Sequence, residues 1–242
     1  MRGFNLTQSI VHDLGVAIVT RRYGAGAGGG FPVEGELCKQ YGVSRSVLRE
    51  AVKMLTAKGL LAARPRQGTY VQPEGRWNLL DPDVLRWLLA RSFSLPLLVE
   101  FTQIRLAIEP QAAALAARTG SKDQKAAVRG ALERMMAASR GRDDPLESDI
   151  AFHVAILMAS NNRFYQQLEE MVSTALRFSI RRTNAYKGVE LASIEDHGRI
   201  SEAISIGDFT AAAHEMQSLI LETMSLMTSQ SSTDDVLELH RR

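Results

Sequence analysis

The sequence predicts a mostly α fold: a three-helix unit closed by a small β-hairpin, followed by an all-α helical bundle. Three observations predict it. Apolar residues recur at helical spacing over 6–22 and again, with no strand period, from Trp77 onward. Two short amphipathic segments, 33–41 and 44–58, meet at Gly42-Val43, the punctuation of a turn between helices. Two β-prone runs, 60–64 and 68–72, flank the basic stretch Arg64-Pro65-Arg66-Gln67, as the arms of a hairpin flank its tip.

The first element is the helix over 6–22, whose apolar stripe is Leu6, Ile10, Leu14, Ala17 and Ile18. Residues 24–30, GAGAGGG, offer no side chains to pack and are read as a loop. A phosphate-cradling P-loop would need Gly-Lys-Ser/Thr leading from a strand into a helix, and neither is present. In the following helix pair Gly42 allows a left-handed turn, Val43 plugs the core and Ser44 caps the second helix. Val47, Leu48, Ala51, Val52 and Leu55 of that second helix face inward, which leaves Arg45, Ser46, Arg49 and Lys53 outside. Helix, turn, helix and basic hairpin in this order form a winged helix-turn-helix, with Arg45, Ser46 and Arg49 at the end of the recognition helix that meets base edges.

Charge agrees with that assignment. The whole chain carries +2, but residues 1–75 hold ten Lys/Arg against five Asp/Glu, a net of +5, and residues 76–242 hold 19 against 22, a net of −3. The positive third is the one that would face phosphates. With 242 residues, 45% of them hydrophobic, the chain is long enough for two cores. No apolar run is long enough to span a bilayer and no secretory leader is legible, so the protein is expected to be cytoplasmic and away from membranes. The lone Cys38 has no partner in the chain for a disulfide and reads as a small core residue.

Residues 31–71, FPVEGELCKQYGVSRSVLREAVKMLTAKGLLAARPRQGTYV, resemble the DNA-binding domain of the GntR family, whose pattern runs Leu-Pro-Ser-Glu, GVSR, VREA, a Gly-Leu pair and a closing G-x-[FY]-V. The resemblance implies DNA contacts from Ser44, Arg45, Ser46, Arg49 and Lys53 on the helix and from Arg64, Arg66, Gly68 and Thr69 on the wing. The chain departs from the pattern at Gly35, where the family usually has arginine, and in a longer glycine loop before Phe31. The resemblance therefore does not carry over the phosphate or base contact of that arginine, while the expected fold is unaffected.

From residue 77 on every segment reads as helix, with breaks near residues 94–96, 119–120, 141, 161–162, 187–188 and 207–208. The organisation expected is a DNA-binding domain over 1–75, a linker and first bundle helix over 76–92, a helical effector and dimerisation domain over 93–230, and a loose polar tail over 231–242. Within the bundle Asp149 and His153 are four apart on one helix and so share a face, and His197 lies on a later helix. A carboxylate with two imidazoles is a divalent-metal set, but by spacing alone such an Asp149-His153 pair is more often a capped or ion-paired surface couple, and Arg105 reads likewise as an ordinary i,i+4 partner of Glu109.

The segments IRLAIEPQAAALAA, DIAFHVAILMASNN and EDHGRISEAISIGD resemble the FCD effector domain of the FadR branch of the same family. That resemblance implies a metal held by Asp149, His153 and His197, with zinc, nickel and manganese all compatible, and an effector site completed by Arg105. The family's further histidine falls at Leu219, so a coordination position is left open for a ligand's carboxylate and hydroxyl oxygens. Arg177 or Arg181 would add a second positive group. WNLLDPDVLRWLLARS, over 77–92, resembles a sub-branch that represses sugar-acid catabolism, which implies an aldonate such as galactonate as effector. The expected partners are a palindromic double-stranded operator and a second copy of the chain, because one recognition helix reads too few base pairs. Two histidines and a carboxylate also form the facial triad of non-haem iron oxygenases, but that triad sits in β-barrels and this region supplies helices, so no enzyme is expected.

Overall fold

The computed structural model describes residues 6–24, 30–64, 68–91, 95–187 and 193–239, with side chains throughout except at 91, 180–187 and 227–239. The chain divides into two compact units, Met1–Phe93 and Ser94–Arg242.

In the first unit α1 (Leu6–Val19), α2 (Glu34–Tyr41) and α3 (Arg45–Ala57) precede the antiparallel strands β1 (Leu61–Arg64) and β2 (Gly68–Val71), paired in register from Leu61 opposite Val71 to Arg64 opposite Gly68. Their common core gathers Ile10, Leu14 and Ile18 from α1, Leu37 from α2, Leu48, Ala51 and Leu55 from α3, and Leu60, Leu61 and Trp77 beyond them. The turn between α2 and α3 is set by Gly42, which adopts φ 63° and donates its N–H to Cys38 O. Ser44 then starts α3 by accepting the Val47 N–H. At the other end of α3, Gly59 (φ 78°) could not be any other residue without strain: a Cβ there would stand 2.4 Å from Arg76 O.

Helix α4 (Pro82–Arg91) differs from expectation. Residues 76–92 were expected to lead into the bundle, yet α4 belongs to the first unit and packs on α1. The physical reason is Trp87. Its indole is 4% exposed and lies against Gly15, and its Nε1 donates to His12 Nδ1 at 3.0 Å. Lys58, at the end of α3, fastens the start of α4 by bonding Asp81 at 2.8 Å and Asp83 at 2.9 Å.

The described elements of the second unit are all helices: α5 (Leu95–Thr119), α6 (Lys122–Ala138), α7 (Pro145–Ala159), the short α8 (Arg163–Gln166), α9 (Glu169–Lys187), α10 (Ile194–Ile206) and α11 (Phe209–Leu239). The buried alanines 112, 113, 116 and 117 make α5 narrow enough for α11, α7 and α10 to pack around it. Local signals fix the helix starts. Ser121 and Gln124 form a capping box for α6, Asp144 accepts the Leu146 and Glu147 N–H groups at the start of α7, and Ser193 caps α10. Helix α10 stops at Gly207, in the left-handed conformation at φ 85°. The expected tail is corrected as well: α11 continues to Leu239, since no glycine or proline between 209 and 239 interrupts it.

Candidate functional site

Three helices of the second unit converge on one buried cluster. Helix α7 carries Asp149 and His153 one turn apart, α10 brings His197 in its first turn, and all three are buried. Each offers a ligand atom, and these atoms lie within 4.8 Å of one another. His153 Nε2 stands 3.4 Å and His197 Nε2 3.3 Å from Asp149 Oδ1.

Hydrogen bonds behind the rings determine what they present in front. Ser193 O can only accept, so at 2.7 Å it fixes the proton of His197 on Nδ1 and leaves the neutral ring's lone pair on Nε2. Glu109 Oε2 likewise accepts from His153 Nδ1, at 2.6 Å, which leaves Nε2 as that ring's ligating atom. In the neutral ring the Nε2 lone pair of His197 then faces a carboxylate oxygen, acceptor against acceptor. Among the described residues Asp149 Oδ1 and His197 Nε2 are the buried side-chain atoms that lack a hydrogen-bond partner. A buried unpaired acceptor is costly, and a shared cation satisfies several at once. The donor set fits a divalent metal, and its outer hydrogen bonds are those that orient metal-binding imidazoles.

The electrostatics agree with a site built to hold charge. Burial would raise the Asp149 carboxyl, but the two imidazoles outweigh it and keep that carboxyl below its usual range. Burial would likewise raise Glu109, yet Arg105 and His153 hold it at about 2. For His153 burial favours the neutral ring, and the carboxylates of Glu109 and Asp149 overcome this to push it up to about 9. Without a cation the cluster thus keeps its carboxylates ionised and draws a proton onto His153.

Arg105 is buried on α5, and its Nε donates to Glu109 Oε1 at 2.6 Å while Nη2 donates to Oε2 at 3.3 Å. This is the i,i+4 pair that the spacing left open. Arg177 turns its guanidinium on Glu147. Arg181 lies among the residues whose side chains are not described. Sequence reasoning missed Glu109 as the partner of His153, having matched it only with Arg105. Its sequence-level signal is an acid set directly before Pro110 in an otherwise small and apolar stretch, AIEPQAAALAA.

On the first unit, α3 presents Arg45, Ser46, Arg49 and Lys53 to solvent, with Arg45 and Arg49 side chains 78% and 65% exposed. Glu34, from the first turn of α2, reaches Arg49 at 3.1 Å and Arg45 at 3.9 Å, a pairing the sequence did not reveal. Ser44 is engaged as a cap, which gives it a structural task whatever else it touches. On the wing the Arg64 guanidinium lies 4.4 Å over the Tyr70 ring, and Thr69 is half-buried. Arg66 lies outside the described residues.

Gly68 opens β2 at φ 83°, and a Cβ there would meet nothing within 4 Å. Its requirement is conformational rather than one of space within the protein. Gly68→Val is expected to distort the wing and weaken operator binding more than it lowers the melting temperature; a large fall in melting temperature with unchanged DNA affinity would contradict this.

Comparison with known proteins shows the family of the chain. The family described as bacterial regulatory proteins, gntR family, matches residues 6–71, and the FCD domain family matches residues 100–222. The galactonate operon transcriptional repressor of Escherichia coli is 32% identical over 219 residues, covering 89% of this chain and 94% of that protein. The chain belongs to the GntR family. This GntR protein also resembles the uncharacterized HTH-type regulator YieP of Escherichia coli, 33% identical over 89% of this chain and 93% of that one. A solved structure of Lar, titled as controlling the expression of the Listeria monocytogenes agr system, matches with a TM-score of 0.56 and 18% identity over 95% of this chain and 99% of that one, a likeness of fold alone. The chain is accordingly a DNA-binding transcription regulator with an FCD effector domain, and not an enzyme. No described helix is long and apolar enough to cross a membrane.

Proposed function

We propose that this GntR regulator represses an operon of sugar-acid catabolism and is released from its operator by a small carboxylate such as galactonate. The observation that carries the reading is the buried pair of facing acceptors, Asp149 Oδ1 and His197 Nε2, beside His153. Asp149, His153 and His197 would hold a divalent ion, which when bound supplies coordination positions for the carboxylate and hydroxyl oxygens of a hydroxy acid. With Leu219 at the family's further histidine position, the protein supplies three ligands rather than four. Arg105 contributes positive charge beside this group. Its Nε edge is occupied by Glu109, so an effector carboxylate would be met by the remaining end of the guanidinium. The likeness to the galactonate repressor supports the choice of a sugar acid and the sign of the response.

The operator is read by a homodimer on a palindrome, with Arg45, Ser46, Arg49 and Lys53 entering the major groove and Arg64, Arg66, Gly68 and Thr69 at the wing. The effector changes operator affinity because it binds the DNA-free and DNA-bound arrangements with different affinities. Arg49→Ala is expected to cost about 1–3 kcal/mol in operator affinity, roughly five- to 150-fold, at fixed salt. Fluorescence anisotropy with labelled operator measures it, and unchanged affinity would remove Arg49 from the interface. Titrating the wild-type complex with galactonate and other sugar acids tests the effector class: release supports repression relieved by ligand, and tighter binding would make the protein an activator or co-repressed regulator.

A further inference from the structure

We propose that Glu109 is a positioning residue that fastens Arg105 and His153 into one unit, so that the metal ligand and the guanidinium beside it are not set independently. This rests on the metal reading above. Glu109 is buried in the middle of α5, and both of its oxygens are engaged. Oε1 accepts from Arg105 Nε at 2.6 Å, and Oε2 accepts from Arg105 Nη2 at 3.3 Å and from His153 Nδ1 at 2.6 Å. The carboxylate therefore spans two helices, holding the α7 imidazole with one oxygen and sharing the α5 guanidinium between the two. Its counterpart at the second histidine is only the Ser193 carbonyl of that histidine's own helix cap. The two rings are thus held differently: the backbone at the start of α10 holds His197, and a buried side chain reaching from another helix holds His153.

Three consequences follow from the chemistry of the group. An ionised carboxylate can only accept, so it keeps the His153 proton on Nδ1 and the ligating lone pair on Nε2. It also neutralises Arg105 and fixes the plane of its fork, which decides the direction in which the other end of the guanidinium points. Any ligand that pulls on Arg105 pulls on the same carboxylate that orients His153, so anion binding at Arg105 and metal affinity at His153 are linked, and linkage is reciprocal. Glutamine at this position has the right size, but its amide must turn an NH2 towards either Arg105, donor against donor, or His153. In the second case the His153 proton moves to Nε2, where it blocks ligation.

The test is a titration of metal-free protein with Co2+ against a competing chelator, with the visible spectrum of the bound ion recorded at saturation. Glu109→Gln is expected to weaken Co2+ binding about 10- to 100-fold, the range found when outer partners of ligating histidines are removed. The spectrum is expected to shift as His153 turns. In a His153→Gln background, Glu109→Gln is expected to cost nothing further, because Glu109 acts on the metal only through His153. A purely structural role would instead lower affinity by the same factor in both backgrounds and leave the spectrum unchanged. Glu109→Asp keeps the charge without the reach to both partners, and measured alongside it is expected to lose affinity in the same direction, which keeps the inference testable where the glutamine variant does not fold. Equal Co2+ affinity in wild type and both Glu109 variants overturns the inference and leaves the metal reading standing. Failure of the wild type itself to bind Co2+ overturns both.

Discussion

His197→Ala is expected to abolish stoichiometric metal and with it the response to effector, while operator binding is retained. The imidazole supplies one of three ligands, and its Nδ1 is fixed by Ser193 O so that Nε2 faces Asp149 Oδ1. Removing a direct ligand should cost more than removing an outer partner, so metal affinity is expected to fall by more than about 100-fold. Helices α2 and α3 and the wing all precede residue 72, in the other unit, and contribute no ligand, which is why DNA affinity should survive. Elemental analysis of protein purified without chelator, together with an operator-release titration on the same sample, measures both. Retained metal, or an unaltered effector response, would return the histidine to an ordinary core position.

Gly15→Ala is expected to destabilise the first unit, against its helix propensity. In an unobstructed helix interior alanine is favoured over glycine by about 1 kcal/mol. At Gly15 the added Cβ would stand 2.3 Å from Trp87 Cζ3, and the indole cannot swing aside without exposing buried surface and breaking its bond to His12. Overpacking of this kind costs about 1–3 kcal/mol and the lost hydrogen bond adds about 1, so packing outweighs propensity. The expected net loss of about 1–3 kcal/mol lowers the melting temperature of a unit this size by several degrees. Gly130→Ala serves as control, since Gly130 lies within α6 and a Cβ there would meet nothing within 4 Å. That variant is expected to be neutral or slightly stabilising, and equal gains at both positions would contradict the packing of α4 on α1.

The parts of the fold that could be read from the sequence are those written in local chemistry. Gly42, Ser44 and the alternating inward residues of α3 announce the helix-turn-helix because turn, cap and stripe all lie within a few residues of one another. Asp149 and His153 are legible as a pair because helical geometry places i and i+4 together. His197 joins them only through a family resemblance, since its distance in sequence carries no geometric information. Glu109 is legible only in part for the same reason: its partner Arg105 is four residues away and readable from helical spacing, while His153 is 44 away and is not. The placement of α4 was missed because an amphipathic helix shows which face it buries and not what it buries against; the deciding feature is an absent side chain at Gly15. The length of α11 was underestimated because polar residues after 229 were read as loose, whereas nothing in them terminates a helix.

The most direct measurement is the release of operator by galactonate from wild-type protein as purified, after exhaustive chelation, and after restoring zinc, nickel or manganese. If the buried Asp149, His153 and His197 form the effector's metal centre, the protein as purified carries about one divalent ion per chain, and chelation removes both the ion and the release by galactonate. Chelation should also lower the melting temperature, because an ion bound only by the folded state stabilises it. Restoring a suitable ion should recover release. Operator release by galactonate that is unchanged after chelation, from protein holding no stoichiometric metal, would contradict that centre.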